Sequence, residues 1–167
     1  MIGSLSDLKE RIGLKGNDEF DGVLYSLLAS AEAEAGRYCN REFVKGAYTE
    51  WFYDVEDEVF VKAVPISSVS GVQVDGEAVD VSGLFVERDV GRIYPISGKV
   101  VMVVYEGGFE VVPVDVKLAI EMLAGAMFLE SMGQINVVES QEIVYKPSYL
   151  RKRAFEILDR YRLGASG

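Results

Sequence analysis

Residues 18–43, DEFDGVLYSLLASAEAEAGRYCNREF, carry the clearest periodicity in the chain and decide the fold class. Phe20, Val23, Leu24, Leu27, Leu28, Ala31, Ala35, Tyr38 and Cys39 recur at spacings of three and four. Such spacing puts them on one stripe of an α-helix. Asn17 or Asp18 can cap its start, and Asp18, Glu19 and Asp21 suit the positive end of the helix dipole. Asn40 reads as its stop. A second row, Gly22, Ser26, Ala29, Ala33 and Gly36, runs along another face. Small side chains let a second backbone come close, either a neighbouring helix of the same chain or another subunit. These five are the candidate subunit-interface residues.

Working outward, LSDLKERI at 5–12 reads as a short helix capped by Ser4 or Ser6, and Gly13 and Gly16 end it. After the long helix the period changes. From Ala47 to Tyr105 the chain is rich in Val, Ile, Tyr and Phe, with turn signals at Asp75-Gly76, Val90-Gly91 and Ser97-Gly98. Strands are expected near 47–53, 58–63, 69–74, 84–88, 91–94 and 99–106. No helical pattern alternates with them, so the sheet should be mainly antiparallel. Gly107-Gly108 closes the β region. Pro113 suits the first turn of a helix over 113–132 that is apolar nearly all round, and so buried on most sides. Residues 133–147 lack helical period, with a short strand expected near Glu142–Tyr145. A last amphipathic helix is expected at 148–162, with Gly164–Gly167 a frayed end.

The fold class is therefore α+β: a small helical bundle with a mainly antiparallel β insertion between the second and third helices. At 167 residues the chain reads as one domain. Its helical parts are 1–43 and 113–132, its β insertion 44–108, and its C-terminal loop and basic helical arm 133–167.

Composition narrows the function. The chain has no histidine, which removes the commonest general base and transition-metal ligand. Its one cysteine, Cys39, lies on the apolar stripe and reads as a buried thiol. No apolar run approaches membrane-spanning length, so no membrane partner is expected, and MIGSLSDLKER lacks a signal-peptide pattern. The formal net charge of −10 is unevenly spread. Residues 146–162 hold six cations and two anions, leaving eleven cations against twenty-five anions elsewhere. An acidic body repels phosphate, which excludes an ordinary nucleic-acid binder. The basic tail implies a partner unlike whatever the body faces.

No catalytic motif is found, and no cofactor or catalytic residue is assigned. A phosphate-cradling Gly-rich loop and a Gly-x-Ser-x-Gly elbow are both missing from the sequence. The acidic run Asp54, Glu56, Asp57, Glu58 offers oxygen ligands of the kind hard cations prefer, but not in EF-hand order. It reads first as a solvated hairpin tip. A metal-dependent hydrolase using it is the enzymatic alternative, and an assembly module of some other machine is a third reading.

The order of several pieces is more specific than any one of them. Tyr-Cys-Asn-Arg-Glu-Phe at 38–43, Val-Pro-Ile-Ser-Ser-Val at 64–69, and Tyr-Glu-Gly-Gly-Phe at 105–109 followed by Val-Pro-Val-Asp at 112–115 stand in sequence. With LKERIGL, TEWFY and GRIYP, they resemble the head–tail connector family of tailed bacteriophages, over roughly residues 5–125. The resemblance implies a non-enzymatic structural protein at the virion head–tail junction, assembled in the host cytoplasm. It implies a ring of copies, twelve-fold in the virion, beneath the portal protein, with a tail or stopper protein as a further partner. DNA would pass through the channel without specific binding. It also implies that the C-terminal segment embraces the portal. That makes Leu150, Arg151, Arg153, Phe155, Tyr161 and Arg162 the portal-docking candidates. Packing of this helix on helix 113–132 of its own chain is the other reading. The sequence departs from the family in its more acidic Asp54–Glu58 turn and after residue 130.

Overall fold

The computed structural model describes residues 1–132 and 146–164. Two compact units emerge: Met1–Cys39 with Pro113–Arg162, and Asn40–Val112, which Leu163 joins.

The first unit is helical. Helix α1 spans Leu5–Arg11, and Ser4 Oγ caps it by accepting the Asp7 N–H at 3.3 Å. Helix α2 spans Asp21–Cys39, beginning later than the sequence pattern suggests. The residues before it form turns instead: Asn17 Oδ1 accepts the Glu19 N–H at 2.9 Å, and the Asp18 carbonyl accepts the Asp21 N–H at 3.3 Å. Lys9 ties α1 to this turn, bridging Asp18 and Asp21 at 2.6 and 2.7 Å. At the other end, Asn40 stops the helix in a left-handed conformation with φ 49°. Leu24, Leu28, Ala31, Ala35 and Cys39 are buried. Val23, expected beside them, is instead 50% exposed. It sits about 100° of helical turn from Leu24, which carries it off the buried stripe.

Helix α3, Val114–Ser131, packs against α1, α2 and α4 (Pro147–Leu158). Burial from Val116 to Phe128 is nearly all round, as the pattern implied. Val114 differs: it lies in the first turn and is exposed. Pro113 precedes the helix as its cap. Gly125 lets α1 approach, since a Cβ there would lie 3.1 Å from Ile12 Cγ2. Glu121 is 1% exposed and therefore needs partners. It receives the Ser4 N–H at 3.2 Å and Arg11 Nε at 3.0 Å, with Lys117 Nζ at 3.8 Å. Near the N-terminus, the Glu32 carboxylate accepts the N–H groups of Ile2 and Gly3.

The second unit is β. Strands β1 (Gly46–Val55), β7 (Gly98–Gly107), β3 (Ile66–Val74) and β4 (Glu77–Val79) form one sheet in the order β1-β7-β3-β4. Strands β2 (Val59–Phe60), β6 (Arg92–Tyr94) and β5 (Phe85–Glu87) form the other, in the order β2-β6-β5. Every strand pair is antiparallel, as expected. β4 escaped the sequence reading because its three residues are all exposed and show no alternation. Asp75 and Gly76, with φ 51° and 89°, make the tight turn between β3 and β4. Val61, Ile66, Val72, Ile93, Val101 and Val103 lie in its core. Buried Tyr105 is satisfied on both sides: its hydroxyl donates to the Glu50 carboxylate and accepts the Ala63 N–H at 2.9 Å. Burial, and then the Glu50 carboxylate, push its phenol far above the ordinary range. Gly107 is required by close packing, because a Cβ would stand 2.0 Å from the Ala63 carbonyl oxygen.

Candidate interaction surfaces

Helix α2 presents a smooth outer face. Gly22, Ser26, Ala29 and Ala33 are exposed and Gly36 is half-buried. Among the described residues of this unit, α3 covers the opposite, apolar stripe and leaves the small row open. Ser26 Oγ donates to the Gly22 carbonyl and Ser30 Oγ to the Ser26 carbonyl, both at 3.0 Å. Their hydroxyls are thus turned back along the helix, and the row offers mainly backbone and methyl surface. Val23 and Tyr25, 50% and 57% exposed, flank it.

Helix α4 covers its apolar face with its own chain. Leu150, Ala154, Ile157 and Leu158 are buried, and the Phe155 ring lies 4.5 Å from that of Tyr38. Arg151 forks onto Glu130, both bonds 3.0 Å, and reaches Glu34 at 3.1 Å. The Arg151 guanidinium holds the Glu130 carboxyl below the usual carboxylate range. Tyr161 donates to Asp115 at 2.7 Å. Of the six docking candidates, Leu150, Arg151, Phe155 and Tyr161 hold the helix to its own body. Arg153 and Arg162 stay exposed. Arg153 pairs with Glu156 at 2.9 Å, and Arg162 lies 5.1 Å over the Tyr38 ring. Lys152 and Arg160 are exposed beside them. The strand expected at 142–145 lies outside the described residues. The anchoring carboxylates Glu34, Glu130 and Asp115 were not legible in the sequence, because each is remote in sequence and ordinary in its local pattern.

The acidic run does not close into a site. Asp54, Glu56 and Asp57 are exposed, and the Glu58 carboxylate accepts from Arg92. Among the described residues, no group of three or more His, Cys, Asp or Glu side chains converges to hold a metal ion. No helix among them is long and apolar enough to cross a membrane. Cys39 is buried, its Sγ 3.4 Å from the Leu158 carbonyl.

A feature the sequence pattern could have revealed is the outer side of β1. Its alternation leaves Ala47, Thr49, Trp51 and Tyr53 exposed, the aromatic pair at 54% and 69%.

No protein-family model matches the chain, and no curated protein matches it. Solved structures do share its fold. A chain in the neck of an empty GTA particle, computed with C6 symmetry, is 16% identical with a TM-score of 0.61, covering 95% of this chain and 88% of that one. A chain in the virion of a native gene transfer agent (GTA) particle is 17% identical with a TM-score of 0.63, over the same shares. A chain in the neck of the native particle, computed with C12 symmetry, is 16% identical with a TM-score of 0.56, covering 94% and 88%.

Proposed function

We propose that this chain is a structural head–tail connector of a tailed phage or phage-like particle. In this reading it closes into a ring under the portal, twelve-fold in the virion, extends the DNA channel and offers the platform for a tail or stopper protein. The observation that carries the reading is the fold shared along 95% of the chain with a chain from a GTA particle neck. The symmetric treatment of those necks, C6 and C12, supports a ring of copies.

The physical features agree with this role. The open Gly22–Ala33 face of α2 is suited to close packing between subunits. Its residues are small, its hydroxyls are already bonded, and the larger Val23 and Tyr25 lie at its flanks. The net negative body suits a channel wall along which phosphate must slide rather than stick. The exposed cations Lys152, Arg153, Arg160 and Arg162 suit an acidic neighbour such as the portal, while Leu150, Arg151, Phe155 and Tyr161 set the helix that presents them. The role requires no reaction of the protein's own.

Sedimentation of the purified chain, alone and with the portal of its own particle, tests the reading. A closed oligomer that co-sediments with the portal is expected. A monomer at every concentration, with no portal association, would overturn it.

A further inference from the structure

An antiparallel sheet with one face in the core normally turns polar residues to solvent on the other. The β1-β7-β3-β4 sheet does not. Val101, Val103 and Tyr105 of β7 enter the core, and the alternate residues Val100, Met102 and Val104 lie on the outer face, half-buried. Across the strand pair, Tyr53 stands opposite Val100, Trp51 opposite Met102 and Thr49 opposite Val104. Thr49, Trp51 and Tyr53 are exposed. These six side chains carry no charge, in a chain whose formal net charge is −10. The first charges come at the ends of the patch: Glu106 opposite Ala47, and the exposed Asp54, Glu56 and Asp57 beyond Tyr53. Contiguous apolar surface of this kind marks a contact.

The occupant follows from the ring proposed above, on which this inference rests. A ring of more than two copies is built from head-to-tail contacts, so each copy must offer two unlike surfaces that fit one another. The small row of α2 supplies one, and the sheet face matches it. Gly22, Ser26, Ala29 and Ala33 are uncharged, like the six residues of the sheet face. The sizes are opposite: aromatic side chains stand out from the sheet, whereas the row is small, with nothing within 4 Å of where a Cβ on Gly22 would lie. The lengths agree, since Gly22–Ala33 rises about 16 Å along a helix and Thr49–Tyr53 about 13 Å along a strand. The charges at one end are complementary. Arg37 is exposed four residues past Ala33, on the same side of α2, and the acidic turn Asp54–Asp57 closes the Tyr53 end of the patch. We infer that the outer face of the sheet is the docking site for α2 of the adjacent copy, with Arg37 of that copy toward the Asp54–Asp57 turn.

The test is cross-linking of the full chain with a short bifunctional maleimide, in three preparations: Ala29→Cys, Thr49→Cys, and the two mixed in equal amounts. Both positions are exposed and Cys39 is buried, so the new thiols are the ones that react and the thermal midpoints should be retained. The expected result is a covalent dimer on a denaturing gel from the mixture and none from either variant alone. Arg37→Glu, added to both variants, should lower the dimer yield by about threefold or more, as reversing one member of an exposed charge pair does. Adding Glu56→Lys and Asp57→Lys to the same chains should restore it. Sedimentation of the same samples separates this inference from the ring itself. Closed oligomers that give no dimer in the mixture would overturn the inference and leave the ring standing. A dimer from one variant alone at the yield of the mixture would also overturn it, by setting like faces of two copies together. So would a yield that Arg37→Glu leaves unchanged. A chain that sediments as a monomer at every concentration, with and without portal, would overturn ring and inference together.

Discussion

Replacing Arg151 with Ala tests how the C-terminal helix is held. Arg151 makes two bonds of 3.0 Å to Glu130 and one of 3.1 Å to Glu34, with its side chain 31% exposed and theirs 44% and 26%. An exposed ion pair is worth about 0.2–1 kcal/mol. Forked geometry raises this and partial exposure lowers it. Removing the guanidinium also leaves two carboxylates facing the same gap. The expected loss is about 1–2 kcal/mol, and at about 2–4 °C per kcal/mol for a chain of this size the melting midpoint should fall by about 2–8 °C. The helix should stay docked, because Leu150, Ala154, Ile157 and Leu158 remain buried. Leu158→Ala should cost more, about 2–5 kcal/mol, and free the helix. The pH dependence has a definite sign. Arg151 lowers the folded-state pKa of Glu130. Its stabilisation is therefore complete above the ordinary glutamate value of about 4.3 and is lost as pH falls through and below it. The gap between wild type and Arg151→Ala should thus narrow from pH 7 toward pH 3. Thermal melts across that range, with amide exchange over residues 147–158, supply the measurement. An unchanged midpoint at pH 7, or a gap that widens in acid, would refute the ion-pair account. Loss of all protection in α4 would show that packing is not what holds it.

Three further outcomes follow from the packing. Gly107→Ala should abolish folding or lower the midpoint severely, since its Cβ would stand 2.0 Å from the Ala63 carbonyl oxygen. Gly22→Ala, with nothing within 4 Å, should leave stability unchanged or raise it by up to about 1 kcal/mol in a melt. Tyr105→Phe should cost about 1–3 kcal/mol by leaving the Ala63 N–H without its partner. Because burial holds the Tyr105 phenol protonated, the alkaline tyrosinate absorbance at pH 11 should be the same for wild type and Tyr105→Phe.

The fold was largely legible because its signals are local. The stripe of α2, the apolar length of α3 and the turn at Asp75-Gly76 each follow from a few neighbouring residues. Errors arose where position within an element decides burial. Val23 and Val114 are apolar but sit off the buried stripe and in an exposed first turn. Strand β4 is three exposed residues whose pairing with Val72–Val74 comes from the turn before it. The surfaces were read less well for the opposite reason. Arg151 looked like a free cation on an amphipathic helix. Its partners Glu34 and Glu130 stand 117 and 21 residues away and meet it only once α2, α3 and α4 are packed. The small row of α2 was visible in the sequence, but its openness to solvent depended on which stripe α3 would cover.

The central claim, a ring of copies joined through the small face of α2, is tested most directly by electron cryomicroscopy of the self-assembled protein. One preparation is wild type and the other carries Ala29→Leu and Ala33→Leu. Both positions are exposed, so the variant should keep its melting midpoint while its closed rings disappear. The wild-type map should place Gly22–Ala33 at the boundary between adjacent copies. Closed rings formed equally well by the folded variant, or a wild-type map with this face of α2 open to solvent, would contradict the account.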